Sequence, residues 1–184
     1  MDEPGPFIQT LSGRRINPLD AAPEDIDPAD IAGALANLCR FGGHSRGFYS
    51  VAQHSLIVCD LLGEQGATAD ELMAALLHDA AEAYLGDLPH PIKHRSELGA
   101  VFRVAEKQLE AVIEARFALP DASARIKPLD RALLATERRI FSTVSWAWPE
   151  LDGVQPLELE IEPWLPDRAR EAFTRRFEQL EALR

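Results

Sequence analysis

Signals for the start of a helix recur along most of this sequence, and they constrain its fold more than any other feature. Each combines an N-capping residue, or a proline at the first helical position, with an apolar pattern of helical period behind it. Two of them are capping boxes. The signals are Asp27-Pro28, Ser50 to Gln53, Thr68 to Glu71, Pro128 and Pro166-Asp167. Together they predict an all-α domain, a helical bundle of about six or more helices.

A chain of 184 residues fits one domain and can bury a core, so the whole chain is expected to form a single domain. The third predicted helix runs from Thr68 through Ala80, and a long amphipathic helix spans about Ser96 to Phe117. The apolar side of the long helix is predicted to comprise Val101, Val104, Ala105, Leu109, Val112 and Ile113. Residues 1–26 are rich in Pro, Gly and Asp and are predicted as an irregular N-terminal arm, with a short strand pair around Phe7–Thr10 and Arg14–Ile16.

The charge of the chain excludes some classes of partner. The formal net charge is −11, so duplex nucleic acid is not an expected partner, because Lys and Arg supply most of the affinity for its phosphates. No signal peptide and no apolar run of membrane-spanning length is visible, and the two cysteines form no CxxC pair. We therefore expect a cytoplasmic protein with no membrane partner. Its many apolar helices are the only hint of a homo-oligomer.

The pair His78-Asp79 is the most unusual local feature of the sequence. It lies within the apolar run from Ala74 to Glu82, where a charged Asp is expensive to bury unless it is paired or binds a metal. In a helix, successive side chains project about 100° apart, so both residues can reach one ion at the helix surface. Glu82 follows within one turn and overhangs the same face without needing to be a ligand.

Two further residues can complete a metal site. His54 lies one turn into the helix that begins after Ser50, and Asp130 lies just after Pro128. Two imidazoles and two carboxylates suit one divalent transition metal: Mn, Fe, Co, Ni or Zn. Mg is left open as a second ion. Glu137 is the substitute if Asp130 is not a ligand; otherwise Glu137 is expected to form a helix-surface ion pair with Arg131 or Arg138.

The order His54, His78-Asp79, Asp130 resembles the H…HD…D pattern of the HD-domain metal-dependent phosphohydrolases. The chain is most similar to the branch that includes bacterial 5′-deoxynucleotidases and related phage nucleotide phosphohydrolases. The flanking residues 40–44, 50–55 and 77–89 are similar too, and the resemblance covers about Asp27 to Phe141. It implies the all-α HD fold and the four metal ligands His54, His78, Asp79 and Asp130.

The resemblance also implies residue roles. Asp79 and Glu82 would form the catalytic pair, with Glu82 as the acid/base residue. Arg40 would contact phosphate and Asp87 would face the sugar. Phe41 stands where the deoxynucleotidase members carry Trp, and a base or sugar can pack there. From its position in the sequence, Lys93 is a further candidate for a phosphate oxygen.

The simpler interpretations of these residues are structural. They are that Arg40 pairs with Asp30 or Glu82, that Asp87 caps a turn, and that Lys93 is solvated.

The expected function is therefore the removal of phosphate from a small nucleotide substrate, a (deoxy)nucleoside 5′-monophosphate. Two alternatives stay open at this point. One is a dNTP triphosphohydrolase, acting for example on dATP and releasing triphosphate. The other is a nucleotide-binding or sensor module without turnover. The latter would have no need of a metal or of Glu82.

Overall fold

The computed structural model describes residues 5–184 and contains eight α-helices and one small β-ribbon in that range. The ribbon pairs β1 (Ile8–Gln9) antiparallel with β2 (Arg15–Ile16). The helices are α1 (Pro28–Asn37), α2 (Val51–Glu64), α3 (Ala69–Leu76), α4 (Glu82–Leu85), α5 (His90–Arg95), α6 (Glu97–Phe117), α7 (Ser123–Phe141) and α8 (Pro166–Glu181). The all-α class and the strand pair are confirmed. Residues 1–4 of the predicted arm lie outside the described part.

The helix α2 lies at the centre of the bundle. It packs against α1, α3, α7 and α8, and its side chains are buried along most of its length. Val51, Val58 and Leu62 have no exposed surface, and neither has His54. Interiors packed this closely hold side chains in single rotamers. The position of His54 is therefore fixed by the core on every side.

Three of the predicted helix starts carry side-chain caps, and two of these caps, at Asp27 and Thr68, were themselves predicted. The Asp27 side chain accepts a hydrogen bond from the Ala29 backbone N–H at 2.9 Å, and the Ser96 hydroxyl accepts one from the Gly99 N–H at 3.1 Å. At α3 the capping box is complete, since Thr68 accepts from the Glu71 N–H and Glu71 accepts in return from the Thr68 N–H. Each satisfied N–H typically contributes about 1 kcal/mol.

The capping box predicted at Ser50 is only half formed. The Ser50 hydroxyl accepts from the Gln53 N–H at 3.2 Å, but the Gln53 side chain points elsewhere. Its amide nitrogen donates to the Glu162 carbonyl at 2.7 Å and its oxygen accepts from the Trp164 N–H at 3.0 Å. Gln53 therefore ties the segment before α8 to the central helix, which satisfies more buried backbone than a return to Ser50 would.

Two predicted helix boundaries are wrong. The third helix ends at Leu76, so His78 and Asp79 lie in a tight turn between α3 and α4 and not within a helix. Pro128 does not start a helix, because α7 begins earlier, at Ser123, and Pro128 lies inside it. The Asp121 carboxylate accepts a hydrogen bond from the Ser123 N–H at 3.0 Å just before this start.

The long helix α6 has the predicted bounds but not the predicted apolar face. Leu109 and Ile113 are buried as expected, and Phe117 is buried too, whereas Val101 and Val104 are 72% and 60% exposed. The first half of α6 packs mainly against α5. Because α5 is short, it does not cover the side of α6 that carries Val101 and Val104. Across the described residues, no helix is both long and apolar enough to cross a membrane.

Candidate metal centre

The four expected ligands come from three parts of the fold. His54 projects from the central α2, His78 and Asp79 from the turn after α3, and Asp130 from α7. In that turn the hydrogen bonds span three residues, from the Ala80 N–H to the Leu77 carbonyl and from the Glu82 N–H to the Asp79 carbonyl, both at 3.0 Å. Such tight turns keep Leu77, Ala80 and Ala81 buried while the two polar side chains between them face the site.

Three of these residues converge closely enough to hold one metal ion. One ligand atom from each of His54, His78 and Asp79 lies within 4.8 Å of the other two. The Asp79 Oδ2 atom is 3.3 Å from His78 Nε2 and 3.8 Å from His54 Nε2. Ligand atoms bound at about 2.0–2.2 Å to a common ion lie roughly 3–3.6 Å apart, so these separations suit a shared ion.

The orientation of both imidazole rings also suits a metal. In each ring the Nδ1 atom is engaged, to Glu137 Oε1 at 2.6 Å in His54 and to the Ala75 carbonyl at 2.8 Å in His78. Each Nε2 atom is buried and makes no hydrogen bond to any described residue. A ring whose Nδ1–H is donated presents a lone pair at Nε2, which is the usual state of a metal-bound histidine.

Asp130 lies beside this group of three. Its Oδ1 atom is 3.1 Å from His54 Nε2, and its side chain is 36% exposed. Asp130 therefore extends the cluster on the His54 side, where it is available as a further ligand. Its place in the second turn of α7, and not at a helix start, follows from the earlier beginning of that helix.

Glu137 is the residue that the sequence analysis placed wrongly. It is neither a ligand substitute at the cluster nor half of a surface ion pair, because it is fully buried and bonded to three other residues. Its Oε1 atom accepts from the Tyr49 hydroxyl at 2.8 Å and contacts His54 Nδ1, and its Oε2 atom accepts from Arg40 Nε and Nη2 at 3.1 and 2.9 Å. The sequence feature that could have indicated a role for Glu137 at the site is its spacing from Asp130, because it lies two turns farther along the same face of α7.

Arg40 lies inside the site and pairs with neither of the acids considered from the sequence. Besides Glu137, its nearest carboxylate is that of Asp79, with Nη1 3.8 Å from Oδ2. Burial acts to lower the pKa of Arg40, but Glu137 and Asp79 outweigh it and raise the pKa above its usual value. Burial acts to raise the pKa of Glu137, and Arg40 and His54 hold it below its usual range. The Arg40–Glu137 pair is therefore ionised.

The side chains of this cluster carry shifted pKa values that reflect their crowding. Burial and Arg40 lower the pKa of His54, but Glu137 and Asp130 raise it further, to about 9. For Asp79, the opposing effect of burial is exceeded by His78, His54 and Arg40, so its pKa lies below the usual range. The cluster thus attracts cations: without a metal it binds protons, and a metal must displace them.

Glu82 lies next to the cluster as an unsatisfied carboxylate. Its Oε2 atom is buried and has no hydrogen-bond partner among residues 5–184. Its pKa is raised well above the usual value, mainly by burial and then by the charges of Asp79 and Asp87. The pKa of Asp87 is raised too, again by burial first. A raised pKa makes the carboxylate form a stronger proton acceptor and favours the protonated form that can donate.

Two of the expected substrate residues have structural partners. The Lys93 ammonium donates to Glu106 Oε1 at 2.7 Å, so it is paired and not simply solvated. Phe41 packs edge-on against Trp148, with ring centroids 6.1 Å apart. The backbone of Phe41 is left-handed, with φ of 59°, which is costly for a residue with a large side chain. Such strain often accompanies functional loops.

A cavity of about 340 Å³ reaches the cluster from the side of α6 and α7. His78, Asp79 and Asp130 line it together with residues of the α6–α7 connection and Lys127. Arg40, Phe41, Glu82, Asp87 and Lys93 are not part of this lining. Three of the four expected ligands thus face this cavity, whereas His54 does not line it.

Two proteins with similar sequences place this chain in a family. A protein of Escherichia coli strain K12, YfdR, is 38% identical over 181 residues, which is 97% of each chain. A protein of Rhodobacter capsulatus is 40% identical over 131 residues, which is 69% of this chain and 65% of that protein. Both are called uncharacterized, and no protein-family profile matches the chain. Because the match to YfdR spans nearly the whole of both chains, this protein belongs to the family of Escherichia coli YfdR.

Proposed function

We propose that this protein is a metal-dependent phosphohydrolase of the HD type, and that its substrate is a nucleotide, most specifically a (deoxy)nucleoside 5′-monophosphate. One observation carries the proposal: two buried imidazole Nε2 atoms without hydrogen bonds converge with the Asp79 carboxylate, near the buried Glu82 Oε2 atom, which also has no hydrogen bond. A pure binding module has no use for an acid/base residue beside a metal site.

The donor set fits a divalent transition metal. His54, His78 and Asp79 would hold it, with Asp130 as the fourth ligand, and nitrogen and carboxylate donors together suit Mn, Fe, Co, Ni or Zn. A metal in such a site lowers the pKa of a coordinated water and offsets charge that develops on a phosphoryl group. The evidence for this fit is that each buried Nε2 atom lies close to a carboxylate oxygen, of Asp130 or of Asp79, without forming a hydrogen bond.

The remaining chemistry belongs to the side chains. Glu82 would exchange a proton with the attacking water or with the leaving oxygen, and burial beside Asp79 and Asp87 raises its pKa, which strengthens it as a proton acceptor. Arg40 brings a buried positive charge next to Asp79, where a phosphate would need it in a protein of net charge −11. Phe41 and Asp87 are the proposed contacts to the nucleoside, and Lys93 a further contact to phosphate.

A screen of products tests the proposal. Nucleoside mono-, di- and triphosphates are incubated with the protein and Mn, Co, Mg or Zn, and the products are identified by mass. Release of phosphate from a nucleoside 5′-monophosphate is the expected result, and release of triphosphate would identify a dNTP triphosphohydrolase instead. Tight nucleotide binding without any product would replace the enzyme with a sensor module.

Metal content provides the matching control. The variants His78→Ala and Asp79→Ala should fold but bind less than about a tenth of the metal held by the wild-type protein. If both variants retain full metal content, the metal lies elsewhere and this site is not the reaction centre.

A further inference from the structure

Glu137 occupies an unusual position for a carboxylate outside the group of ligands. It is fully buried, and its two oxygens accept hydrogen bonds from opposite sides. The Tyr49 hydroxyl and His54 Nδ1 both contact Oε1, and Arg40 donates two hydrogen bonds to Oε2. A buried charge is tolerated only when it is paired and hydrogen-bonded, and this one is satisfied on both oxygens.

These contacts determine which nitrogen of the His54 ring donates. The carboxylate can only accept, so the ring donates through Nδ1, and its Nε2 atom is the one left to bind a metal. The short separation of 2.6 Å and the absence of exposed surface on either side chain hold the ring at one angle. Glu137 therefore acts on the metal site through His54 without touching it.

The same carboxylate also positions Arg40. Two of the guanidinium nitrogens bind Glu137, which leaves Nη1 directed to Asp79 at 3.8 Å. One side chain thus connects a proposed metal ligand with the proposed phosphate contact. An arginine held by two hydrogen bonds loses most of its rotational freedom before any substrate arrives.

We propose that Glu137 is a positioning residue for the metal centre: it fixes the tautomer and angle of His54 and anchors Arg40 on the same carboxylate. This inference rests on the metal site of the proposed function. It goes beyond that function because it makes metal affinity depend on a residue outside the ligand set. That residue is the same carboxylate that holds Arg40.

The amide of glutamine tests this assignment because it nearly preserves the shape of the side chain. A carboxylate accepts at both ends, whereas an amide accepts at one end only. In Glu137→Gln, the two charge-assisted hydrogen bonds from Arg40 keep the amide oxygen on the Arg40 side, so the NH₂ group faces Tyr49 and His54. This arrangement forces His54 to accept at Nδ1, which places a proton on Nε2 and removes its lone pair from the metal.

Cobalt provides the readout, because its affinity and its visible absorption both report on ligands independently of turnover. We expect Glu137→Gln to bind Co²⁺ about 10- to 100-fold more weakly than the wild-type protein and to change the absorption bands of the bound ion. Tyr49→Phe leaves the carboxylate and three of its donors, so its Co²⁺ affinity should stay within about threefold of wild type. Glu137→Gln with wild-type affinity and spectrum would overturn the inference.

Glu106→Gln is the matched control. Glu106 is also a buried carboxylate with a cationic partner, Lys93, but it makes no contact with the ligands His54, His78 or Asp79. Its substitution should lower stability while leaving Co²⁺ affinity and absorption unchanged. A loss equal to that of Glu137→Gln would mean that any buried charge change weakens the site, which would also overturn the inference.

Two further results separate the possible failures. If the wild-type protein binds no Co²⁺, the proposed function fails first. If Glu137→Gln does not fold, the double variant Arg40→Met/Glu137→Leu removes both charges together, which buried pairs often tolerate. The double variant leaves the His54 ring without its acceptor and should still bind Co²⁺ at least about tenfold more weakly than wild type; equal affinity would overturn the inference.

Discussion

Glu82 shows what a single residue contributes at this site. Its buried oxygen has no hydrogen-bond partner in the described part of the chain, and burial together with Asp79 and Asp87 raises its pKa. We expect Glu82→Gln to retain metal and fold while losing turnover by at least about a hundredfold, because the amide cannot transfer a proton. The measurement is kcat for the best nucleotide, with metal content determined on the same samples. Glu64→Gln, at the exposed end of α2, should be indistinguishable from wild type; near-normal turnover in Glu82→Gln would assign Glu82 a purely structural role.

Arg40 is predicted to matter for stability as well as for phosphate. Its removal leaves Glu137 charged and buried with half of its hydrogen bonds missing. Breaking a buried pair in this way typically costs about 3–5 kcal/mol, and we expect Arg40→Ala to lose that much free energy of unfolding. Urea unfolding in the presence of a chelator measures it without a contribution from the metal. The exposed Arg46→Ala should change stability by less than about 0.5 kcal/mol, and an equally small change in Arg40→Ala would contradict the prediction.

At the scale of elements, Gln53 links the central helix α2 to the segment just before α8. Its amide bonds to the backbone at Glu162 and Trp164, just before α8. We expect Gln53→Ala to cost about 1–3 kcal/mol, because it leaves a partly buried N–H and carbonyl unsatisfied. Hydrogen exchange should accelerate at Trp164 more than in α3. Gln108→Ala, at an exposed position of α6, serves as the control. Unchanged exchange near Trp164 in Gln53→Ala would show that the Gln53 hydrogen bonds do not stabilise this segment.

At the scale of the whole molecule, metal binding should stabilise the fold. The cluster draws its ligands from α2, α7 and the turn after α3, so an ion joins three parts of the bundle that are distant in sequence. At a free metal concentration about 100-fold above Kd the gain is about 2.7 kcal/mol, which corresponds to roughly 5–10 °C in Tm for a chain of this size. Differential scanning fluorimetry with and without Co²⁺ measures the shift. His78→Ala should show almost none of it, and an equal shift in that variant would locate the ion elsewhere.

The sequence by itself determined the features whose causes are local. Helix starts at Asp27, Thr68 and Ser96 depend on a cap and the residues just behind it, so α1, α3 and α6 were predictable in position. The expensive burial of a charge at Asp79 likewise indicated a site from one short run of residues. The resemblance to the HD-domain pattern supported His54 as a ligand, and the structure brings His54 into the same group as His78 and Asp79.

Only the tertiary structure decided the features whose causes lie far apart in the chain. The sequence was compatible with Glu137 in a surface ion pair. In the structure, α7 packs against α2 and buries Glu137 between Arg40, Tyr49 and His54. Val101 and Val104 are exposed because α5 covers little of α6. The spacing of apolar residues in α6 does not predict how much of the helix another element covers. Hydrogen bonds and burial between distant segments depend on which faces meet, and a sequence pattern specifies the face of one helix without specifying its partner.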